Sequence, residues 1–165
     1  MKILNDEEIK QKIVRLAYEI LENNYDQKEI FFAGINNNGV HFAHKIIDTL
    51  HTLNPPFDTQ LFQVKLNPAN PIKEDITIEI EKSLLQNKNI ILVDDVANTG
   101  RTLFFAFKPL LEVLPKKVEV AVLVDRKHKM FPVKVDYMGI SLATTLKENI
   151  DVQLKSVNTM AVYLT

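Results

Sequence analysis

The stretch from Ile90 to Thr102, IILVDDVANTGRT, decides the fold and the first hypothesis about function. Its apolar run is typical of a β-strand that is covered on both faces. The run ends in two adjacent carboxylates, Asp94 and Asp95, and a polar turn containing Gly100 then leads into a helical pattern. In open α/β sheets, ligands bind beyond the carboxyl ends of the strands. The stretch therefore predicts a ligand site at the end of a buried strand.

The turn after the two carboxylates has the features of a phosphate-binding loop. The first N–H groups of a helix are unpaired and lie at the positive end of its dipole, which suits a phosphate. A glycine lets the backbone approach the ligand closely, and two threonine hydroxyls add donors. The predicted phosphate-binding residues are Ala97, Asn98, Thr99, Gly100, Arg101 and Thr102.

The two carboxylates would repel a phosphate, so they need another role. Asp94 and Asp95 are placed to accept hydrogen bonds from sugar hydroxyls, or to hold Mg²⁺ directly or through water. Together with the phosphate donors they make a site for a ribose 5-phosphate. The alternative, an acidic turn followed by a helix N-cap, explains each feature separately but not their combination. The stretch has neither the spacing of a Walker loop nor the clustered glycines of a dinucleotide fingerprint.

A second unit of strand, turn and helix surrounds Gly34. The apolar run from Glu29 to Ala33 predicts a buried strand, and the apolar spacing after Gly39 predicts a helix. The turn between them offers a second set of donors for an anion. These donors would come from Asn36, Asn37, Asn38 and Gly39. The alternative is an ordinary loop between a strand and a helix.

The remaining sequence alternates strand and helix patterns. An amphipathic helix is predicted from Ile9 to Leu21, with Asn5 and Glu8 as its capping box. The other predicted segments are strands over 60–64 and 118–124, a mobile loop over 66–75, a helix over 103–114 that Pro109 should kink or end, and an irregular tail from about Asp125. The alternation favours right-handed βαβ crossovers. We therefore expect one α/β domain over residues 1–165, with a largely parallel sheet and helices on both faces.

Composition excludes several classes of protein. With 46% hydrophobic and 25% charged residues, the chain is not disordered. No apolar run approaches the ~18 residues of a membrane span. The absence of cysteine excludes disulfides, thiolate metal sites and a catalytic thiol, and it fits a cytoplasmic protein. Because 20 basic residues face 21 acidic ones, no broad basic surface for nucleic acid is expected, although a local patch is compatible with this balance.

The quoted residues resemble a known family. Asp94 to Thr102 is similar to the phosphoribosyl-pyrophosphate motif of the type I phosphoribosyltransferases. The resemblance is closest to the bifunctional pyrimidine-operon attenuator and uracil phosphoribosyltransferase proteins. Residues 33–40, AGINNNGV, are similar to that family's pyrophosphate loop, and residues 121–128, AVLVDRKH, with DYMG at 136–139, resemble its base-binding tail. The likeness runs from about Ile9 to Leu154.

The resemblance implies a type I phosphoribosyltransferase-like fold and a reaction. Ribose 5-phosphate would be transferred from phosphoribosyl pyrophosphate to a nucleobase, expected to be uracil, with Mg²⁺ as cofactor. Asp94 and Asp95 would contact the ribose hydroxyls, the loop at 36–38 would face the pyrophosphate and its Mg²⁺, and the loop at 66–75 would close over the site. A small hood, mainly from residues 125–165, would cover the base. Further substrate contacts would come from Arg126, Tyr137 and Met138. Proteins of this kind commonly associate as dimers, so a homodimer or a higher homo-oligomer is expected.

Two departures from the family pattern keep alternatives open. Where the family usually carries Lys-Thr-Arg or a similar sequence, this chain has three asparagines at 36–38, which bring no positive charge to the pyrophosphate. The family's mobile loop usually carries a Tyr-Arg-Asp stretch, for which Lys65 or Lys73 would have to substitute here. One alternative is a regulator that binds phosphoribosyl pyrophosphate or a nucleotide and acts on RNA with weak or no catalysis. Another is a purine phosphoribosyltransferase.

Overall fold

The computed structural model describes residues 1–155 and 158–165 and contains two β-sheets. Twelve helices and strands are labelled here in chain order. They are β1 (Lys2–Leu4), α1 (Asp6–Asn23), β2 (Glu29–Ile35), α2 (Asn36–Thr52), β3 (Asp58–Lys65), β4 (Thr77–Ile78), β5 (Asn89–Ala97), α3 (Arg101–Ala106), β6 (Lys117–Arg126), β7 (Tyr137–Leu142), β8 (Ile150–Gln153) and β9 (Ala161–Leu164). Short 3₁₀ helices cover Lys82–Leu85 and Lys108–Glu112.

The main sheet has the strand order β4-β3-β2-β5-β6-β7. All its neighbouring pairs are parallel except the one that joins the short edge strand β4 to β3. Gly34 on β2 lies level with Val93 on β5. Because these strands run in the same direction, the turns that follow them meet at one edge of the sheet. The fold thus brings together the two turns that the sequence singled out.

Apolar layers cover both faces of this sheet, which confirms the predicted α/β fold. On one face, Phe42 and Ile46 of α2 and Leu16 of α1 pack against Phe32. On the other face, a second cluster contains Phe31 and Leu92 of the strands and Leu103 of α3. Successive strand residues point to opposite faces, so a strand buried on both faces is apolar throughout.

The predicted helices differ from the observed ones mainly at their ends. The capping box of α1 is confirmed, since Asn5 and Glu8 exchange side-chain and backbone hydrogen bonds. α2 begins at Asn36, four residues before the predicted start at Val40. The predicted helix over 103–114 is split, because α3 ends at Ala106 and a 3₁₀ helix containing Pro109 follows. Proline lacks an N–H and clashes with the preceding turn, so the α-helix cannot continue through it.

The prediction of an irregular tail from about Asp125 is wrong. β6 continues to Arg126, and β7 adds a further parallel strand to the main sheet. The connection between them, residues 127–136, contains no helix, so the alternation that marked the other strands is missing there. A Cβ on Gly139 would lie 2.6 Å from the carbonyl oxygen of Leu123, so this close strand pair requires glycine.

The second sheet forms a hood over the carboxyl edge of the main sheet. Its order is β1-β9-β8, with both pairs antiparallel. The start of the chain therefore contributes a strand to the hood, which the resemblance did not imply. In the described part of the chain, no helix is long and apolar enough to cross a membrane.

Candidate functional site

The two adjacent acids lie where β5 reaches the carboxyl edge of the sheet. Asp94 is 9% exposed, and its Oδ1 accepts the N–H of Asp95 at 2.9 Å. Oδ1 of Asp95 accepts the N–H of Val96 at 2.8 Å. Burial, reinforced by the charge of Asp95, raises the pKa of Asp94 well above its usual value. Burial also raises the pKa of Asp95. A cation or a set of hydroxyl donors would relieve this repulsion.

The turn after the acids forms a small cavity, here called the phosphate cavity. It measures about 40 Å³ and is lined by every residue from Val96 to Leu103. Gly100 has φ 87°, in the left-handed region that favours glycine. The N–H groups of Met130 and Phe131 donate to the carbonyl oxygen of Thr99 at 2.9 and 3.2 Å, so the segment after β6 supports the loop from outside. The predicted phosphate-binding residues are thus brought into one concave turn.

The side chains of the turn after β2 form hydrogen bonds within the protein. Asn36 has φ 50°, and its side chain both donates to the carbonyl oxygen of Leu66 and accepts the N–H of Leu66, each at 3.0 Å. Oδ1 of Asn37 accepts a hydrogen bond from Gln63 at 3.2 Å. A Cβ on Gly39 would lie 2.4 Å from the carbonyl oxygen of Val93, because the first turn of α2 lies directly on β5. These residues therefore fix the positions of α2 and of the loop that starts at Leu66.

A larger cavity of about 400 Å³, here called the central cavity, joins the two turns. Asp94 and Asp95 line it on one side and Asn36, Asn37 and Asn38 on another. Its other lining residues are Ile35, Pro68, Val96, Asn98, Thr102 and Ile150. The structure thus brings together the acids, the asparagine turn, part of the phosphate-binding turn and one hood residue.

Two further cavities border the central one. The hood cavity, of about 180 Å³, is lined by Asn38, His41, Asp95, Val152, Gln153, Leu154 and Lys155. The loop cavity, of about 640 Å³, is lined by Asn36, Asn37, Gln63, Lys65, Leu66, Asn67, Pro68, Glu74, Asp75 and Thr77. No sequence pattern marks Ile150 or Lys155 as site residues, because only the folding of the hood brings them to the cavities beside the acids.

Arg126 and Arg101 make contacts different from those predicted. The guanidinium of Arg126 donates to Thr144 Oγ1 at 2.8 Å, to Asn98 Oδ1 at 3.2 Å and to the carbonyl oxygen of Thr145 at 2.9 Å. Arg126 therefore ties the phosphate loop to the hood, and its contact with substrate stays a prediction. Arg101 donates to the carbonyl oxygen of Pro68 at 2.7 Å, which links the phosphate loop to the loop at 66–75.

The structure does not bring Tyr137 and Met138, for which base contacts are predicted, to the cleft. Tyr137 is only 1% exposed and begins β7, away from the carboxyl edge. Its hydroxyl donates to Glu119 at 3.0 Å and accepts a hydrogen bond from Asn23. Met138 packs against the second apolar cluster, and none of the four cavities at the cleft is lined by it. The DYMG stretch was misassigned because the irregular tail predicted for it is in fact a core strand.

The site can be tested for its fit to Mg²⁺ by its donor set. In the described residues there is no group of three or more His, Asp or Glu side chains that would enclose a metal ion. The two carboxylates at the end of β5 remain, which suits Mg²⁺, because this ion is usually held by one or two carboxylates together with water and substrate phosphates. His41 and His44, one turn apart on α2, belong to no such group.

The fold and this cleft together define a class of protein. A parallel sheet whose carboxyl edge carries paired acids, a glycine-containing turn at a helix start and a hood is the layout of the type I phosphoribosyltransferases. Similar solved structures include hypoxanthine phosphoribosyltransferase of Trypanosoma cruzi, with TM-score 0.77, 14% identity and coverage of 98% of this chain and 95% of that one. A hypoxanthine-guanine phosphoribosyltransferase of Bacillus anthracis gives TM-score 0.73 at 17% identity, covering 97% and 95%.

The chain belongs to the phosphoribosyltransferase family, since the model of the phosphoribosyl transferase domain matches residues 1–156. Curated relatives include the Bifunctional protein PyrR of Streptococcus pyogenes serotype M49, 35% identical over 162 residues, which cover 95% of this chain and 91% of the relative. The protein of the same name from Bacillus pumilus is 32% identical over 167 residues, with 94% and 91% covered. Type I phosphoribosyltransferases generally use Mg²⁺ bound together with phosphoribosyl pyrophosphate.

Proposed function

We propose that this protein transfers ribose 5-phosphate from phosphoribosyl pyrophosphate to uracil, releasing pyrophosphate. One observation carries the proposal. The paired acids of β5 line the central cavity, and this cavity is continuous with the phosphate cavity, which is formed by the residues that follow the acids in the chain. The resemblance to the pyrimidine-operon attenuator and uracil phosphoribosyltransferase proteins supports a pyrimidine rather than a purine as the acceptor. The absence of cysteine is compatible with a cytoplasmic location.

Hydrogen-bond acceptors would hold the ribose, and hydrogen-bond donors would hold the 5-phosphate. Asp94 and Asp95 accept hydrogen bonds from two ribose hydroxyls, because their oxygens line the central cavity. The backbone N–H groups of the phosphate cavity, together with the hydroxyls of Thr99 and Thr102, donate to the 5-phosphate. Arg126 holds Asn98 and with it the shape of this turn.

The base would lie between two apolar side chains in place of the predicted Tyr137 and Met138. Val96 follows the acids on β5, and Ile150 begins β8 of the hood. Both are partly exposed and line the central cavity. A planar pyrimidine ring buries both faces when it is enclosed by aliphatic groups, and this burial is favourable. Base specificity would then come from backbone groups at the hood edge.

The reaction is a displacement at C1 of the ribose. The bond from C1 to the pyrophosphate oxygen breaks, a bond from C1 to the pyrimidine nitrogen forms, and the proton of that nitrogen is released. The protein contributes mainly by positioning the two reactants. Asp94 and Asp95 would hold Mg²⁺, and the chemistry that this ion would supply is positive charge for the pyrophosphate group. The loop at 66–75, tied down by Asn36 and Arg101, would keep water from the sugar cation.

A panel assay tests the proposal directly. The protein is incubated with phosphoribosyl pyrophosphate, Mg²⁺ and, separately, uracil, cytosine, orotate, hypoxanthine or guanine, and the nucleotide and pyrophosphate formed are measured. We expect uridine monophosphate and pyrophosphate in equal amounts. Product with a purine alone would assign a purine phosphoribosyltransferase instead.

A second candidate function is favoured by the neutral turn at Asn36 to Asn38. Without charge in that turn, the site would bind phosphoribosyl pyrophosphate or a nucleotide as a regulator of RNA, with weak or no catalysis. The name of the relatives, which marks them as bifunctional, is compatible with this candidate. Measurable binding of phosphoribosyl pyrophosphate without product for any base would favour it over the transferase. We further expect a homodimer, which sedimentation equilibrium tests.

A further inference from the structure

We propose that the positive charge of the pyrophosphate subsite comes from Lys155 of the hood, with His41 of α2 as a second donor, and not from the loop at 36–38. This inference rests on the proposed function, because it concerns how the leaving diphosphate of phosphoribosyl pyrophosphate is held. It assigns a substrate-binding role to two residues that the sequence pattern did not mark.

The order of the cavities along the cleft indicates on which side C1 of the ribose lies. The central cavity shares Val96, Asn98 and Thr102 with the phosphate cavity, and it shares Asn38 and Asp95 with the hood cavity. The three cavities are therefore consecutive, with the acids between the two outer ones. In a ribose 5-phosphate, C1 lies at the opposite end of the ring from the carbon that bears the phosphate. A sugar with its phosphate in the phosphate cavity and its hydroxyls at the acids therefore has C1 on the side of the hood cavity.

Charge decides between the hood cavity and the loop cavity, which also borders the central one. The loop cavity is lined by the carboxylates of Glu74 and Asp75 and by a single cation, Lys65. Lys65 is already paired with Glu79, at 2.5 Å from Nζ to Oε1. A diphosphate would meet net negative charge there, which disfavours it. The prediction that Lys65 replaces the family's missing charge is not supported by this pairing.

The hood cavity lacks this excess of negative charge. Lys155 and His41 line it together with a single carboxylate, that of Asp95, which the ribose and Mg²⁺ would engage. None of the ion pairs in the described part of the chain includes Lys155, so its ammonium is available to a ligand. Asn38, which stands where the family usually has a charged residue, lines the same cavity. Lys155 of the hood thus lines the same cavity as position 38.

His41 complements Lys155 as an uncharged donor. Burial, together with the positive charges of Lys155, His44 and Lys45, lowers the pKa of His41. His41 is therefore largely neutral at pH 7 in the free protein, and its ring N–H can donate one hydrogen bond to a phosphate oxygen. Lys155 supplies the charge, and a hydrogen bond from a charged donor is roughly twice as strong as a neutral one.

Two ligands that differ only in the pyrophosphate group test the inference. Binding of phosphoribosyl pyrophosphate and of ribose 5-phosphate is titrated calorimetrically, each with Mg²⁺, for the wild type and for Lys155→Gln. We expect Lys155→Gln to weaken phosphoribosyl pyrophosphate about tenfold and to leave ribose 5-phosphate within about twofold. Lys155→Arg should restore most of the loss. The matched control is Lys28→Gln, which removes an exposed charge next to the amino end of β2, far from the cleft.

The outcomes separate the inference from the proposed function. If the wild type prefers phosphoribosyl pyrophosphate and Lys155→Gln keeps that preference, the inference is overturned while the proposed function stands. An equal loss for both ligands also overturns it, because Lys155 would then act on the shared sugar phosphate or on the fold. A selective loss in Lys65→Gln instead would assign the diphosphate to the loop cavity. Failure of the wild type to bind either ligand would overturn the proposed function and the inference together.

Discussion

The two units of strand, turn and helix at the carboxyl edge look alike in sequence but differ in structure. After β2, helix α2 begins at once with Asn36 and continues for 17 residues. After β5, two residues and a left-handed Gly100 precede α3, which has only 6 residues. The first unit has its turn closed against the neighbouring strand, whereas the second leaves an open concave turn.

The two turns therefore differ in role: the turn after β2 supports the fold, and the turn after β5 is the one proposed to bind the ligand. The side chains of Asn36 and Asn37 are used to hold Leu66 and Gln63, and the buried face of α2 packs into the larger apolar cluster. The turn after β5 keeps its backbone donors for a ligand and relies on neighbours such as Arg126 for its shape. The side chains of Asn36 and Asn37 in the first unit thus make structural contacts, and the second unit is the one that we propose to bind the ligand.

Replacing glycine by alanine in each turn tests the difference between the two turns most directly. Gly39→Ala would place a Cβ 2.4 Å from the backbone oxygen of Val93, so α2 would have to move off β5. We expect it to lower the free energy of unfolding by about 3 kcal/mol. Gly100→Ala meets its neighbours only at 3.4 Å or more, so only the backbone strain at φ 87° remains, about 1 kcal/mol.

Urea denaturation of both variants measures this difference, with the wild type as reference. The two curves should differ in midpoint and not in slope. Gly100→Ala should still weaken ribose 5-phosphate binding, because the phosphate turn is distorted. Equal destabilisation by the two variants would show that the turn after β2 is not closed in the way described.

The two acids give the next largest effect. Asp94→Asn combined with Asp95→Asn removes the charge that holds Mg²⁺ and weakens the acceptors for the ribose hydroxyls. We expect affinity for phosphoribosyl pyrophosphate with Mg²⁺ to fall at least about 100-fold, which corresponds to about 2.8 kcal/mol. Calorimetric titration measures it, and Asp58→Asn, at the exposed amino end of β3, serves as the control. Unchanged affinity in the double variant would refute the site.

Asn36 and Asn37 allow a smaller and more specific test. Asn36→Ala removes both hydrogen bonds to Leu66 and places alanine at φ 50°, so we expect a loss of about 2 kcal/mol in the free energy of unfolding. Asn37→Ala removes one exposed hydrogen bond and should cost less than about 0.5 kcal/mol. Amide hydrogen exchange should show faster exchange of Leu66 in Asn36→Ala alone. Slow exchange in both variants would mean that the loop is held elsewhere.

Part of this arrangement could be predicted from the sequence because its signals are local. The apolar run of β5, the acids at its end, Gly100 and the capping box of α1 are each specified within a few residues. The hood contacts are not local, since β1 and β9 come from opposite ends of the chain. Ile150 and Lys155 carry no pattern of their own and gain a place at the site only through that pairing. For Tyr137 the local pattern is misleading. Its motif resembles a base-binding segment, but here the residue packs in the core.

The protonation of Asp94 gives the smallest effect and links stability to binding. Because burial raises its pKa in the folded protein, the folded state binds a proton more tightly than the unfolded chain does. The stability that this proton contributes is complete below the unfolded pKa of about 3.9 and is lost as pH rises through the folded pKa. Asp94→Asn, which stays neutral at every pH and can still accept the N–H of Asp95, should therefore be more stable than the wild type at pH 7, by about 1 kcal/mol.

Thermal unfolding of the two proteins between pH 4 and pH 8 measures this linkage. A difference of 1 kcal/mol corresponds to about 2–4 °C in Tm for a chain of this size. The Tm of Asp94→Asn should approach that of the wild type near pH 4 and exceed it increasingly toward pH 7. Saturating Mg²⁺ with phosphoribosyl pyrophosphate should reverse the order, because only the wild type gains the binding energy. A Tm difference that does not change with pH would show that Asp94 is already well solvated, and the cleft would then lack the repulsion that a bound cation relieves.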